Sequence, residues 1–535
     1  MGHTRATGGT LPELLETLVA DHGSREALVS LRGRLRFQEV AALADRVAGA
    51  LAARGVVGGT HVGLLLPNWP EWVAIAFGVW RCGGVLVPLN TLYRPRELAH
   101  ALSQADVSLL IAVRGFLSHD YAASLAELGI ACRDGGLTAP GFPALRGAVL
   151  LDPAAPLDLT PLLTGAPADP GSGPSAEDPA TIVFTSGSTA APKGVVHTHA
   201  ALRLAAEGDA AVLGITPDDR TWGYLPFFFA GGLVAVALAT LSRGAAVVLQ
   251  DVFEPGETLR LLEAEGVSVF FAWPHQAEAL IAHPRFRHAR LRLQKGVGAN
   301  TKWAVVLYPP DHHAVGSYGM TETLPLCTAW PWDAAIERRT GSHGPAVGRR
   351  ELRITDPETG VTLGPGAEGE ICVRGPELLA GYYGEPAAAC RDADGFFHTG
   401  DLGRLDAEGA LHFVGRLRDV IKTAGVNVAA AEVEAVLLEH PAVAAAYAVG
   451  VPHPTRGEDV AAFVVLKDAA GEDVLLAHCR ARLASYKVPR RLWVRAERAL
   501  PTKGSGKVDK AALRVEAGRL TAAGGPAADP PATPR

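Results

Sequence analysis

The chain has 535 residues, more than one ordinary domain holds, so at least two folding units around a large core are expected. Hydrophobic residues at 48% and charged residues at 20% form a globular balance and exclude disorder over most of the length. A formal net charge of −6 excludes a global attraction to nucleic acid or anionic lipid, so any phosphate recognition must be local.

In chain order, Leu11, Leu14, Leu15 and Leu18 follow the i, i+3, i+4, i+7 spacing of an amphipathic helix. A buried strand is predicted over 60–67 and a helix over 69–82. Candidates then alternate between strand and helix at 181–184, 232–241, 245–249, 267–272 and 274–282, which predicts parallel α/β layers. Residues 168–180, ADPGSGPSAEDPA, read as an exposed loop ahead of a buried strand. From 411 the pattern shortens: strands at 412–414, 443–451 and 459–466, with helices near 431–438 and 475–483. The fold class expected is therefore α/β, a large N-terminal domain with layered, mostly parallel sheets and helices over 1–415. A small mobile α+β domain follows over 416–518, and a disordered Ala/Pro/Gly-rich tail over 519–535. No run reaches the ~18 apolar residues of a membrane helix, and the start MGHTRATGGT lacks the apolar core of a secretory signal. The six cysteines, Cys82, Cys132, Cys327, Cys372, Cys390 and Cys479, form no C-x-x-C pair, so reduced thiols and a cytoplasmic location are expected.

The densest chemistry lies in Thr185-Ser186-Gly187-Ser188-Thr189-Ala190-Ala191-Pro192-Lys193-Gly194, directly after the strand at 181–184. Small residues let backbone N–H groups approach a polyphosphate, the hydroxyls of Ser186, Ser188 and Thr189 add donors, and Lys193 adds charge. No G-x-x-x-x-G-K-[ST] is present, so this is not a Walker A loop; read alone, a flexible Ser/Gly loop fits it equally well. Next comes Ser317-Tyr318-Gly319-Met320-Thr321-Glu322-Thr323: an aromatic for a purine, a hydroxyl for a phosphate and a carboxylate for Mg²⁺, or else a generic turn. Phe397-His398-Thr399-Gly400-Asp401 ends in a carboxylate suited to ribose hydroxyls. It is followed by Gly415-Arg416-Leu417-Arg418-Asp419-Val420-Ile421-Lys422, by Gly425, and by Lys507 in the glycine-flanked segment 500–507.

In this order and approximate spacing the motifs resemble the adenylate-forming superfamily of acyl- and aryl-CoA synthetases, luciferases and nonribosomal-peptide adenylation domains. The likeness runs from the first helix to Leu513. It implies ATP, Mg²⁺ and coenzyme A as cofactors, and a small carboxylic acid as substrate. It also implies roles: Thr185, Ser186, Gly187, Ser188, Thr189 and Lys193 around the β- and γ-phosphates; Tyr318, Gly319 and Thr321 at adenine and α-phosphate; Glu322 on Mg²⁺. Asp401 and Arg416 match the ribose pair, Lys422 a residue near the acyl-phosphate, Gly425 the pantetheine tunnel, Arg418 the hinge and Lys507 the adenylation lysine. Lys507, Lys193, Glu322 and Thr189 are the catalytic set it implies. Phe228, Phe229, Gly232, Trp273 and Met320 are the implied acid pocket.

Two departures stand out. In Leu225-Pro226-Phe227-Phe228-Phe229-Ala230-Gly231-Gly232, Phe229 takes the place where relatives often carry His, and a plain core role for the three Phe remains an alternative. Lys295-Gly296-Val297-Gly298-Ala299-Asn300 replaces the small-residue segment that backs adenine. The pairs His197/His199, His283/His288 and His312/His313 lack a third ligand at recognisable spacing, so packing or surface roles are expected. Three functions are separable: an acid–CoA ligase, favoured by a standalone chain with Gly425; an adenylating enzyme whose acceptor is a carrier protein, an amine or another nucleophile; and a non-enzymatic nucleotide binder, disfavoured by the retention of Lys193, Glu322 and Lys507.

Overall fold

Thr10 starts the first helix, Leu11–His22: its hydroxyl accepts from the Glu13 amide at 3.2 Å, and the Glu13 carboxylate accepts from the Thr10 amide at 2.6 Å. The resulting face buries Leu11, Leu14, Leu15 and Leu18 as the leucine spacing predicts. The computed structural model describes residues 9–133, 136–164, 166–185, 193–299, 301–423, 426–453, 457–483, 487–502 and 507–524. The chain divides into two compact units, one of Met1–Leu352, Val373–Phe397 and Glu408–Leu411, the other of Arg353–Cys372, His398–Ala407 and His412–Arg535.

The first unit is built on two sheets. A seven-stranded sheet runs Gly147–Leu151, Leu109–Val113, His61–Leu65, Val85–Pro88, Pro179–Thr185, Lys193–Thr198, Gly381–Tyr382 in spatial order. Its first four neighbour pairs are parallel and its last two antiparallel. A six-stranded sheet runs Lys295–Gly296, Val269–Phe270, Arg220–Gly223, Ala246–Leu249, Glu26–Ser30, Gly33–Arg36, parallel except for the last pair. Parallel strands covered by helices read as continuous apolar runs, which is why Val85–Pro88 and Ala246–Leu249 bury every residue. The expected α/β layering is therefore observed.

Two predicted elements differ in form. The helix expected over 232–241 is wound as a π-helix at Gly231–Leu238, continuing as α at Ala239–Leu241. A Cβ on Gly232 would meet the carbonyl oxygens of Leu225 and Pro226, so the helix enters where only glycine fits, and such wide turns are frequent at functional sites. The strand expected over 267–272 keeps only Val269–Phe270 in the ladder. Beyond it the chain turns to start the helix Pro274–Ala282, whose first residue has no N–H to give.

In the second unit, Val426–Ala429, Val420–Thr423, Gly457–Leu466 and Val443–His453 form an antiparallel order, with Arg491–Val494 pairing parallel to Gly457–Leu466. The helices Ala430–Leu438 and Glu472–Arg480 supply Val433, Leu437, Leu475 and Cys479 to its core. Strands Glu351–Thr355, Gly369–Arg374, Phe397–Leu405 and Leu411–Arg416 form a four-stranded sheet in that order. The last helix, Lys510–Gly524, carries Ala- and Leu-rich turns past residue 518; 525–535 lie outside the described residues. Among the described residues no helix is long and apolar enough to cross a membrane.

Candidate active site

The strand Pro179–Thr185 turns back as Lys193–Thr198, and register places Thr185 opposite Lys193. The loop between them, holding Ser186, Gly187, Ser188 and Thr189, lies outside the described residues. Lys193 Nζ sits 3.0 Å from Glu385 Oε1 and 4.6 Å from the Tyr382 ring centroid. The Tyr382 hydroxyl donates to Glu322 Oε1 at 3.1 Å, so one tyrosine joins Lys193 to the carboxylate expected to carry the metal. Burial, and then the Glu322 charge, raise the Tyr382 phenol above its ordinary range and keep it a donor.

Glu322 is aimed by a strained turn. Ser317–Met320 pairs with Leu324–Ala329 through a bulge, and Leu324 at the corner has φ 61°. A buried leucine in the left-handed region is costly, and such backbone persists where surroundings over-determine it, often beside a site. A Cβ on Gly319 would lie 2.6 Å from the Leu324 carbonyl, which is why glycine stands there. The Met320 amide donates to Thr323 Oγ1 at 3.1 Å, and Arg350 Nε donates to the Thr323 carbonyl at 3.2 Å from behind. Tyr318 and Glu322 are buried and Thr321 half-buried. His197, fully buried against the Thr321 backbone, is pushed down to about 4 by burial, so it stands neutral in the packing behind the turn.

The three phenylalanines separate into different environments. Phe227 is wholly buried against Trp72 at 5.2 Å, while Phe229 is half-buried, 4.6 Å from Phe228 and edge-on to Trp273 at 6.4 Å. Trp273 is 39% exposed, a large apolar ring on open surface. Asn68 fixes the segment: its carbonyl accepts from the Phe227 amide at 3.0 Å, and its amide donates to Gly223 and Leu225 carbonyls at 2.9 and 2.8 Å. Phe228, Phe229 and Trp273 thus come together, while Gly232 packs on the Leu225 and Pro226 carbonyls and Met320 belongs to the turn hairpin. Lys295, at the start of the segment that replaces the adenine-backing one, is tied to Asp219 Oδ2 and the Gly214 carbonyl, both at 2.6 Å. Its charge serves the fold, and Asn300 lies outside the described residues.

In the second unit Asp401, 2% exposed, pairs with Arg416 Nε at 2.9 Å across adjacent strands. The Asp401 amide donates to Thr399 Oγ1 at 3.1 Å, whose hydroxyl donates to the Ile371 carbonyl at 2.7 Å. Arg418 lies in the single 3₁₀ turn Leu417–Asp419 and Lys422 in the strand Val420–Thr423, while Gly425 falls outside the described residues. Lys507 is exposed beside the bridge between Thr502 and Val508. Sequence reasoning missed Asn68 and Tyr382; the Gly381-Tyr382-Tyr383-Gly384 run, aromatics between glycines after a strand, was the available signal for the latter.

A parallel α/β unit that sets Lys193 beside Tyr382 and the buried carboxylate of Glu322, with an α+β unit carrying buried Asp401 paired with Arg416 and an exposed lysine, has the make-up of an ATP-dependent acid-activating ligase. The family model for the AMP-binding enzyme matches residues 15–383 and that for its C-terminal domain residues 432–507, so the chain belongs to the AMP-binding enzyme family. It is an AMP-forming acid ligase of the acyl-CoA synthetase kind. A feruloyl-CoA synthase of an Amycolatopsis species is 35% identical over 489 residues, 90% of this chain and 93% of that relative. An anthranilate CoA ligase solved with anthranoyl-AMP superimposes with a TM-score of 0.82 at 25% identity, covering 96% of this chain and 98% of that one. An amide bond synthetase of Marinactinospora thermotolerans does so with a TM-score of 0.77 at 28% identity, covering 94% and 99%.

Proposed function

We propose that the enzyme activates an apolar, aromatic-type carboxylic acid and hands its acyl group to coenzyme A. The observation that carries the acid class is the half-buried Phe229 ring set edge-on to the exposed Trp273 ring, an apolar wall. The acceptor is supported by the feruloyl-CoA and anthranilate-CoA relatives. The amide bond synthetase likeness supports a second acceptor, an amine.

In the first half-reaction a carboxylate oxygen attacks the α-phosphorus and pyrophosphate leaves, so catalysis consists of positioning and charge stabilisation. Thr185, Lys193 and the loop between them hold the β- and γ-phosphates, and Tyr318, Gly319 and Thr321 the adenine and α-phosphate. Glu322 fits Mg²⁺: a single buried carboxylate whose Oε1 is already oriented by a phenol suits an ion that takes one protein carboxylate plus phosphate oxygens. When bound, that ion would neutralise phosphate charge. Asp401 with Arg416 holds the ribose, and Lys507 bridges carboxylate and α-phosphate. For the second half-reaction the small domain, 416–518, pivots at Arg418 to withdraw Lys507 and bring Lys422 and Gly425 to the adenylate. A cytoplasmic location is proposed on the reduced state of Cys82, Cys327, Cys372, Cys390 and Cys479.

The test is a panel of acids assayed for pyrophosphate with and without CoA, with products read by mass spectrometry. Thioester from aromatic acids supports the reading. Pyrophosphate without thioester, and amide when an amine is added, would replace CoA by the amine; release with small polar acids alone would overturn the acid class.

A further inference from the structure

Among the described residues outside those assigned to ATP and acid, one side-chain group has the donor set of a metal site. Glu370 and Cys372 are alternate residues of the strand Gly369–Arg374, so both side chains leave one face; His398 stands on the neighbouring strand Phe397–Leu405. Their ligand atoms all lie within 4.8 Å of one another. His398 Nδ1 is 2.7 Å from Glu370 Oε2 and 3.5 Å from Cys372 Sγ.

A tetrahedral zinc ion, with bonds of about 2.3 Å to sulfur and about 2.0–2.1 Å to nitrogen and oxygen, needs sulfur and nitrogen roughly 3.5 Å apart and nitrogen and oxygen roughly 3.3 Å apart. The cysteine and histidine already stand at that separation. Glu370 Oε2, at 2.7 Å from His398 Nδ1, must retreat by roughly 0.6 Å to open the nitrogen–oxygen separation an ion needs. The surroundings suit the charged ligands: Thr355 Oγ1 lies 3.3 Å from the sulfur and can donate to a thiolate, and Glu370 Oε1 accepts from the Gly400 amide at 3.0 Å. The imidazole is 40% exposed, so an ion and a water ligand can arrive from solvent on that side. A simple histidine–carboxylate pair accounts for Glu370 and His398 but not for a thiol directed at the same nitrogen.

We propose that Glu370, Cys372 and His398 bind one thiophilic divalent cation, Zn²⁺ being the plainest case, with water as the fourth ligand and the Cys372 thiol proton released to solvent on binding. The shift of Glu370 that admits an ion disturbs the bond its other oxygen accepts from Gly400, the residue before Asp401. Occupancy therefore weakens ATP binding, a coupling that rests on the reading of Asp401 as the ribose carboxylate.

The test uses the full chain. Titration with Co²⁺ is expected to give a thiolate-to-cobalt charge-transfer band saturating at one equivalent, and Zn²⁺ to abolish it by displacement. Cys372→Ser, nearly isosteric, and His398→Gln, at a half-exposed position, are each expected to lose the band and weaken Zn²⁺ binding by at least about tenfold, since even supporting residues of metal sites are worth 10–100-fold. Unchanged melting temperatures in apo form separate ligand loss from misfolding. No band at one equivalent, or a band that survives in both variants, overturns the site. One equivalent of Zn²⁺ should raise the KM for ATP severalfold in the wild type and not in Cys372→Ser; binding with an unchanged KM would uphold the site and overturn its coupling to Asp401.

Discussion

Replacing Phe229 by Ala tests whether the ring that stands in place of a common histidine chooses the substrate. The structure supplies an internal control, because Phe227, two residues earlier, is fully buried while Phe229 is half-buried. Phe227→Ala leaves a core cavity and should cost ~3–5 kcal/mol of stability. Phe229 loses ring contacts with Phe228 and Trp273 at 4.6 and 6.4 Å, pairs worth about 0.5–1.5 kcal/mol each, so these contacts account for about 1–3 kcal/mol. Within the pocket the vacated space is worth about 1–3 kcal/mol of discrimination, roughly 5- to 150-fold in relative kcat/KM. The assay is kcat/KM over a series of acids of increasing bulk, with KM for ATP and melting temperature measured alongside. The ranking should move toward bulkier acids while KM for ATP stays constant. A loss of stability equal to that of Phe227→Ala with an unaltered ranking would show that Phe229 is packing and carries no selectivity.

Lys507→Ala should abolish acyl-AMP formation and leave thioester formation from supplied acyl-AMP largely intact, as measured by isotope exchange and by CoA consumption; equal losses in both steps would refute a lysine used in one half-reaction only. Tyr382→Phe removes a charge-assisted bond to Glu322, worth about 1.5–3 kcal/mol, and should lower kcat/KM roughly tenfold or more while raising the Mg²⁺ concentration needed for half-maximal rate. A variant that only melts earlier, with its Mg²⁺ titration unmoved, would make Tyr382 packing. His199 is pushed by burial to about 4, below its unfolded value, so the stability it contributes is complete above pH ~6.5 and is lost as pH falls toward 4, by about 3 kcal/mol in all. Buried Asp209, raised by desolvation, works in the opposite direction over the acid range. His199→Gln should therefore flatten the fall of melting temperature between pH 6.5 and 4, and an unchanged slope would contradict the assignment.

What the sequence made legible was local. The spacing of Leu11, Leu14, Leu15 and Leu18 sets one helix face, and the apolar runs at 60–67 and 245–249 can only be strands or buried helices, which neighbouring Gly and Pro settle. What escaped depends on contacts between residues far apart in the chain. Asn68 grips the Leu225–Phe227 backbone from more than 150 positions away. Tyr382 meets Glu322 across a separation of 60, and Cys372 and Glu370 meet His398 only because two strands pair. Three identical Phe letters carry no sign of which ring is core and which is wall, since that is fixed by how the chain enters the π-turn at Gly231.

The polar residues divide by what surrounds them rather than by type. Lys295 and Lys193 are both lysines in the first unit, yet Lys295 is 14% exposed and closed by Asp219 and the Gly214 carbonyl. Removing one partner of so buried a pair strands a charge, so Lys295 is committed to the fold. Lys193 is 40% exposed, meeting a surface carboxylate, Glu385, that is itself 42% exposed. An exposed pair of this kind is worth ~1 kcal/mol or less, so a polyphosphate with several anionic oxygens can take the lysine from Glu385 at little cost. The same reasoning separates Glu322 from Glu385: the buried carboxylate keeps a fixed direction through Tyr382, and the exposed one yields. A phosphate site needs both behaviours, a cation that can change partners and an anion that cannot move.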